Sequence, residues 1–167
     1  MNKQEKNRLE EKRKQMSLKT MYFNRFLLVR YITAVFFFLN LYWFFSLVLS
    51  GTIWSVVPGI TLLIIIKAIY EQFTLSASDV DDAKCTGFLF KLISIINLLV
   101  LIIVIPTALF NQLFPFLTNS ITSRRFIIGI TLIGLAFCVV ILKRLYKIKN
   151  RTDKQLQRVK QYEQAIK

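Results

Sequence analysis

From Tyr31 to Ile66 the chain runs for 36 consecutive residues without an Asp, Glu, Lys or Arg, built mainly from Phe, Leu, Ile and Val. A hydrocarbon core about 30 Å thick is crossed by about 20 helical residues, so this run is too long for one span and suits two antiparallel ones. Ser50-Gly51-Thr52 breaks it midway. Two further apolar runs follow, and 54% apolar residues exceed what a soluble domain of this length usually carries. The expected fold is therefore an all-α integral membrane protein with four transmembrane helices in two hairpins, at about 26–50, 54–70, 92–110 and 126–142. A basic helix over 1–25 precedes this 26–142 membrane domain, and a second over 143–167 follows it.

Charge orients the spans. With both termini on one side, the segments on that side hold 21 Lys/Arg, counting Lys67, Lys84 and Lys91, while the other side holds only Arg124 and Arg125. The positive-inside rule then places both termini in the cytoplasm of a multi-pass protein of the cell membrane. A net charge of +14 concentrated beside apolar spans points to an anionic inner leaflet as a partner. Nucleic acid is not expected, because the basic tails lack interleaved aromatic platforms. Cys85 and Cys138 both fall toward the cytoplasmic side and are expected to be free thiols. Some 30 mostly polar residues precede the first run, so no cleaved signal peptide is expected, and Asn2 stands where myristoylation needs a glycine.

Within the spans, Pro58 falls in the first turns of the second, where a missing N–H costs least, and Trp54 and Tyr70 mark its two interfaces. Lys67 lies about a turn from an inner end and is expected to snorkel; an intramembrane functional cation is the sharper reading. Asn40, Ser94 and Asn97 are expected to hydrogen-bond between helices, with lining of a permeation path as the alternative. Thr131, Gly134 and Cys138 share a helix face small enough for close packing. Pro106 should loosen the end of the third span. Phe114-Pro115-Phe116-Leu117 reads as an apolar lip in the outer interface.

The connector holding Asp79, Asp81 and Asp82 lacks the Gly and Glu positions of a calcium loop, so no metal is expected there. Ser76 with Asp79, or Ser78 with Asp81, has capping-box spacing for a helix start. The three carboxylates are expected to dock against the basic tails. Beyond the last span, Leu145, Ile148, Thr152, Leu156, Val159, Tyr162 and Ile166 form an amphipathic stripe on a helix that continues from the span. The N-terminal helix, a second copy and anionic lipid are all candidates to cover it.

Chemistry is sparse. The chain has no histidine, which removes imidazole catalysis and imidazole metal sites, and no Asp or Glu lies between the interfaces, where a proton-coupled exporter would need one. No nucleotide loop, paired catalytic carboxylates or CxxC occurs, so neither an enzyme nor a cofactor is expected. The blocks Met21-Tyr-Phe-Asn-Arg-Phe-Leu-Leu-Val-Arg-Tyr31 and Phe36-Phe-Phe-Leu-Asn-Leu-Tyr-Trp43 resemble a group of small membrane proteins of Gram-positive bacteria, some labelled phosphotransferase-system cellobiose transporter subunit IIA. That resemblance implies a link to sugar uptake, but a IIA subunit is a soluble phosphocarrier that uses the histidine this chain lacks. The expected function is a non-enzymatic accessory or scaffold protein binding another membrane protein, or its own copies, through spans and tails. A small transport or channel component is the alternative.

Overall fold

The computed structural model describes residues 3–77, 82–104 and 109–166, and every regular element among them is helical. The chain forms α1 (Lys3–Arg25), α2 (Leu27–Leu49), a 3₁₀ turn (Ile53–Ser55), α3 (Val56–Ala77), α4 (Lys84–Val104), a single turn α5 (Phe110–Leu113), α6 (Ile121–Lys149) and α7 (Lys154–Ile166). Helices α2, α3, α4 and α6 are each long and apolar enough to cross a membrane. Their outward faces carry Val35, Phe38, Leu63, Ile66, Ile95, Leu99 and Ile133, all exposed. So continuous an apolar surface is foreign to a soluble monomer and is what hydrocarbon requires. The class is thus a multi-pass helical membrane protein.

Two helix ends are closed by the same device. After α2, the N–H of Gly51 bonds to the Val48 carbonyl at 3.0 Å and that of Thr52 to the Leu47 carbonyl at 3.2 Å. Gly51 takes φ of 65°, which completes a Schellman motif and turns the chain into α3. After α6, Arg151 bonds to Ile148 and Thr152 to Lys147 in the same pattern, both at 3.0 Å. Here the left-handed residue is Arg151 at φ 54°, without a glycine's freedom. The expected continuous helix after the last span therefore breaks, and α7 starts afresh.

The third span also departs from expectation. Its helix begins at Lys84 rather than near 92, because the Glu71 carboxylate takes up its first amides: Oε1 accepts from Cys85 N at 2.9 Å and Oε2 from Thr86 N at 2.7 Å. Ser76 falls in the last turn of α3 rather than at a helix start, while Ser78, Asp79 and Asp81, and the effect of Pro106, lie outside the described residues. Phe110, expected to end that span, belongs to α5. The fourth span starts at Ile121 rather than 126, with Ser120 as its cap accepting from Ser123 N at 3.1 Å.

In the bundle α2 packs on α3, α3 on α4 and α4 on α6, whereas α2 and α6 touch only sparingly. One buried core joins all four helices, with Val29 and Phe36 from α2, Ile65 and Ala68 from α3, Phe90 and Ile93 from α4, and Cys138 and Ile141 from α6. A second, smaller core gathers Val100, Phe110, Leu113, Phe114 and Ile127, with Trp43 and Trp54 against it.

Candidate functional site

Two regions combine polar groups with shape. The first is where α1 and α7 pack on each other. Arg25, the last residue of α1, donates from Nε to Asp153 Oδ2 at 3.1 Å and from Nη2 to Oδ1 at 3.0 Å, with the two side chains 2% and 4% exposed. Asp153 Oδ2 also accepts from Leu156 N at 3.1 Å, so one carboxylate caps α7 and pins it to α1. Arg144 Nη2 donates to the Arg25 carbonyl at 3.3 Å, and Tyr22 donates to Glu163 Oε1 at 3.1 Å. Leu156 and Val159 of the amphipathic stripe are buried, so α7 buries part of its stripe against α1. The earlier turns of α1 stand clear: Lys6, Arg8, Leu9, Lys12, Arg13, Lys14 and Met16 are all exposed.

Of the acidic connector, Asp82 lies 3.4 Å from Lys84 and 3.4 Å from Lys149 at the end of α6. Asp79 and Asp81 fall outside the described residues. Cys85 and Cys138 are both free thiols.

The second region is a cleft of about 250 Å³ between α2 and α6, floored by α4 and closed at one end by Phe114 and Phe116. Four sequence candidates line it: Asn40, Asn97, Thr131 and Gly134. Asn40 Nδ2 donates to the Phe36 carbonyl at 2.8 Å and Thr131 Oγ1 to the Ile127 carbonyl at 2.7 Å, so both are spent inside their own helices. Asn97 Nδ2 is buried without a partner, directly against Gly134. Ser94 donates to the Phe90 carbonyl at 2.7 Å and pairs with the Cys138 thiol, outside the cleft. Lys67 is exposed on α3 and does not line it.

Hydrogen bonding between helices, expected of the asparagines, falls to other residues. Gln72 Nε2 donates to Thr33 Oγ1 at 3.1 Å and Thr86 Oγ1 at 3.4 Å, which ties α2, α3 and α4 together. Thr86 in turn donates to Glu71 Oε2 at 2.8 Å, and Arg30 Nη2 donates to the Gln72 carbonyl at 2.9 Å. The Arg30 guanidinium sits 4.0 Å from the Phe23 ring centroid and 5.5 Å from that of Phe73, and these faces stand in for missing partners of its other nitrogens. At the opposite end Trp43 stacks on Phe114 and donates from Nε1 to the Leu113 carbonyl at 2.8 Å, while Trp54 Nε1 donates to Gln112 Oε1 at 3.1 Å.

Arg25–Asp153 and the Glu71 cap were not anticipated. One signal was available: Asp153 stands among Arg151, Lys154 and Arg158, immediately before a helix-forming run, where an isolated carboxylate reads as a cap. No His/Cys/Asp/Glu group among the described residues has the makings of a metal site. No family model, curated protein or solved structure matches the chain.

Proposed function

We propose that this is a non-enzymatic accessory membrane protein that presents a cationic helical platform, α1 with α7, to a partner membrane protein on the cytoplasmic side. The observation that carries the reading is the buried Arg25–Asp153 pair. It anchors the base of α1 while the basic turns before it remain uncovered. A solvated basic helix needs no such anchor, whereas a docking element gains from being held in one orientation before its partner arrives. The exposed Leu9 and Met16, seven residues apart on one side of α1, supply an apolar line amid Lys and Arg for a helix or groove of the partner. The cytoplasmic placement follows from the distribution of Lys and Arg.

Photoreactive residues placed at Leu9 and Met16 in living cells test this. Recurrent capture of one membrane protein, weakened by Asp153→Ala, supports it; capture of lipid alone, or of nothing, removes it. Accessibility labelling of the two ends from outside intact cells tests the orientation.

The cleft favours a second reading, a small transport component. Its walls hold few polar groups for a sugar: the Thr61 and Thr131 hydroxyls and one Asn40 N–H donate to their own helices, and Asn97 Nδ2 is the unpartnered donor in the lining. Solute flux in proteoliposomes that changes in Asn97→Ala would bring this reading forward.

A further inference from the structure

The cleft between α2 and α6 needs an occupant. Its walls are chiefly Phe36, Leu39, Trp43, Ile93 and Ile130, the hydroxyls and amide of Thr61, Thr131 and Asn40 donate to backbone carbonyls of their own helices, and the polar group left over, Asn97 Nδ2, is buried against Gly134, a single partner where water needs two or more. Water enters a cavity where it finds two to four polar partners, and an apolar space of this size stays dry or takes an apolar guest. The cleft is also open sideways. Leu39, Tyr42 and Ile130 line it while remaining 50%, 61% and 41% exposed, among outward residues of α2 and α6 such as Val35, Phe38 and Ile133 that are apolar. The medium that reaches this opening is therefore the hydrocarbon of the bilayer.

Charge distinguishes one end of it. The end closed by Phe114 and Phe116 carries Arg124 and Arg125 and no carboxylate, since no Asp or Glu occurs between Asp82 and Asp153 or between Glu11 and Glu71. Arg124 is held by Nε donation to Asn119 Oδ1 at 2.9 Å, with its guanidinium 5.8 Å from the Phe110 ring centroid. Phe110 in turn lies 5.7 Å from the lining Phe114, centroid to centroid. Guanidinium groups beside an apolar slot suit a phosphate joined to a hydrocarbon chain. We propose that the cleft seats one acyl chain of an anionic phospholipid that enters laterally from the bilayer between α2 and α6, with its headgroup at the Arg124 and Arg125 end.

The full chain is reconstituted in nanodiscs containing a trace of phosphatidylglycerol or phosphatidylcholine with a diazirine in mid-chain, and adducts are mapped after photolysis. Phosphatidylglycerol adducts are expected on Leu39, Ile130 and Thr131 severalfold above those on Leu63, which faces outward close to the lining Thr61. Ile130→Trp and Leu39→Trp, which fill the slot from opposite walls, should each lower the remaining cleft adducts and leave Leu63 unchanged. Replacing Arg124 and Arg125 with Gln should erase the preference for phosphatidylglycerol. Equal labelling of the cleft and Leu63, equal labelling by the two lipids, insensitivity to whichever filling variant folds, or protein–protein cross-links from the cleft in place of lipid adducts would each overturn the proposal.

Discussion

Arg25 and Asp153 lie 128 positions apart in the chain, yet their guanidinium and carboxylate meet through two hydrogen bonds of 3.1 and 3.0 Å in a nearly solvent-free site. Removing one member of such a pair strands a buried charge, which costs about 3–5 kcal/mol, and Asp153→Ala also deletes a helix cap worth about 1 kcal/mol. Asp153→Ala should therefore release α7 from α1, seen as faster amide hydrogen exchange through 154–166 while α4 and α6 keep their protection. Arg25→Met combined with Asp153→Leu should restore most of the docking, because no lone charge then remains. Unchanged exchange in α7 of the single variant would contradict the account.

Glu71 acts as an N-terminal cap supplied from a neighbouring helix, accepting from Cys85 N, Thr86 N and Thr86 Oγ1. Hydrogen bonds to a charged group contribute about 1.5–3 kcal/mol each, and a carboxylate also suits the positive end of the α4 dipole. Glu71→Ala should lower the thermal midpoint in detergent and fray the first turn of α4. Glu71→Gln should lose less, since its amide oxygen still accepts. An unchanged midpoint in Glu71→Ala would show that this carboxylate does not hold the helix start.

The spans were legible because hydrocarbon imposes a simple demand, a run without charges, and Tyr31–Ile66 meets it twice over. Corners were not. The stripe from Leu145 to Ile166 reads as one helix, and only the left-handed conformation of Arg151, a residue with no special preference for it, divides the stripe between α6 and α7. Asn40, Asn97, Thr131 and Gly134 stood out as polar or small residues in apolar runs, and they do line one cleft. The cleft itself was invisible, because it exists where α2 and α6 fail to close on each other. Neighbour order of this kind is a property of the packed bundle and leaves no periodicity to read. The same holds for Gln72, whose bonds to Thr33 and Thr86 depend on three helices arriving at one level.

Trp43 offers a separation of stacking from hydrogen bonding. Its ring lies 5.9 Å from that of Phe114 at an interplanar angle of 14°, and its Nε1 donates to the Leu113 carbonyl. Trp43→Phe keeps an aromatic face but loses the donor and part of the ring, so a destabilisation of about 1–3 kcal/mol is expected. Trp43→Ala also opens a void beside Phe114 and should cost about 3–5 kcal/mol. Thermal unfolding of the two variants in the same detergent compares them. A Phe variant as unstable as the Ala variant would mean that the bond to Leu113, rather than the packing, holds this end together.

Asn97 and Gly134 form a pair in which each explains the other. A Cβ at Gly134 would lie 3.2 Å from Asn97 Nδ2 and 3.8 Å from the Phe36 ring, so Gly134→Ala requires the amide to give by a few tenths of an ångström, a strain set against alanine's helix propensity of about 1 kcal/mol. The amide it displaces has no partner for Nδ2, and deleting a buried unsatisfied donor removes a desolvation penalty of about 1–3 kcal/mol. Asn97→Ala alone should therefore be near neutral, the lost volume offsetting the removed penalty. In the double variant the added methyl group occupies part of the space the amide leaves, so the two changes should be less damaging together than their sum. A thermal-unfolding cycle over the four proteins measures that coupling. Strict additivity would place the two side chains out of contact, and a large loss in Asn97→Ala alone would show that Nδ2 has a hydrogen-bond acceptor in the membrane.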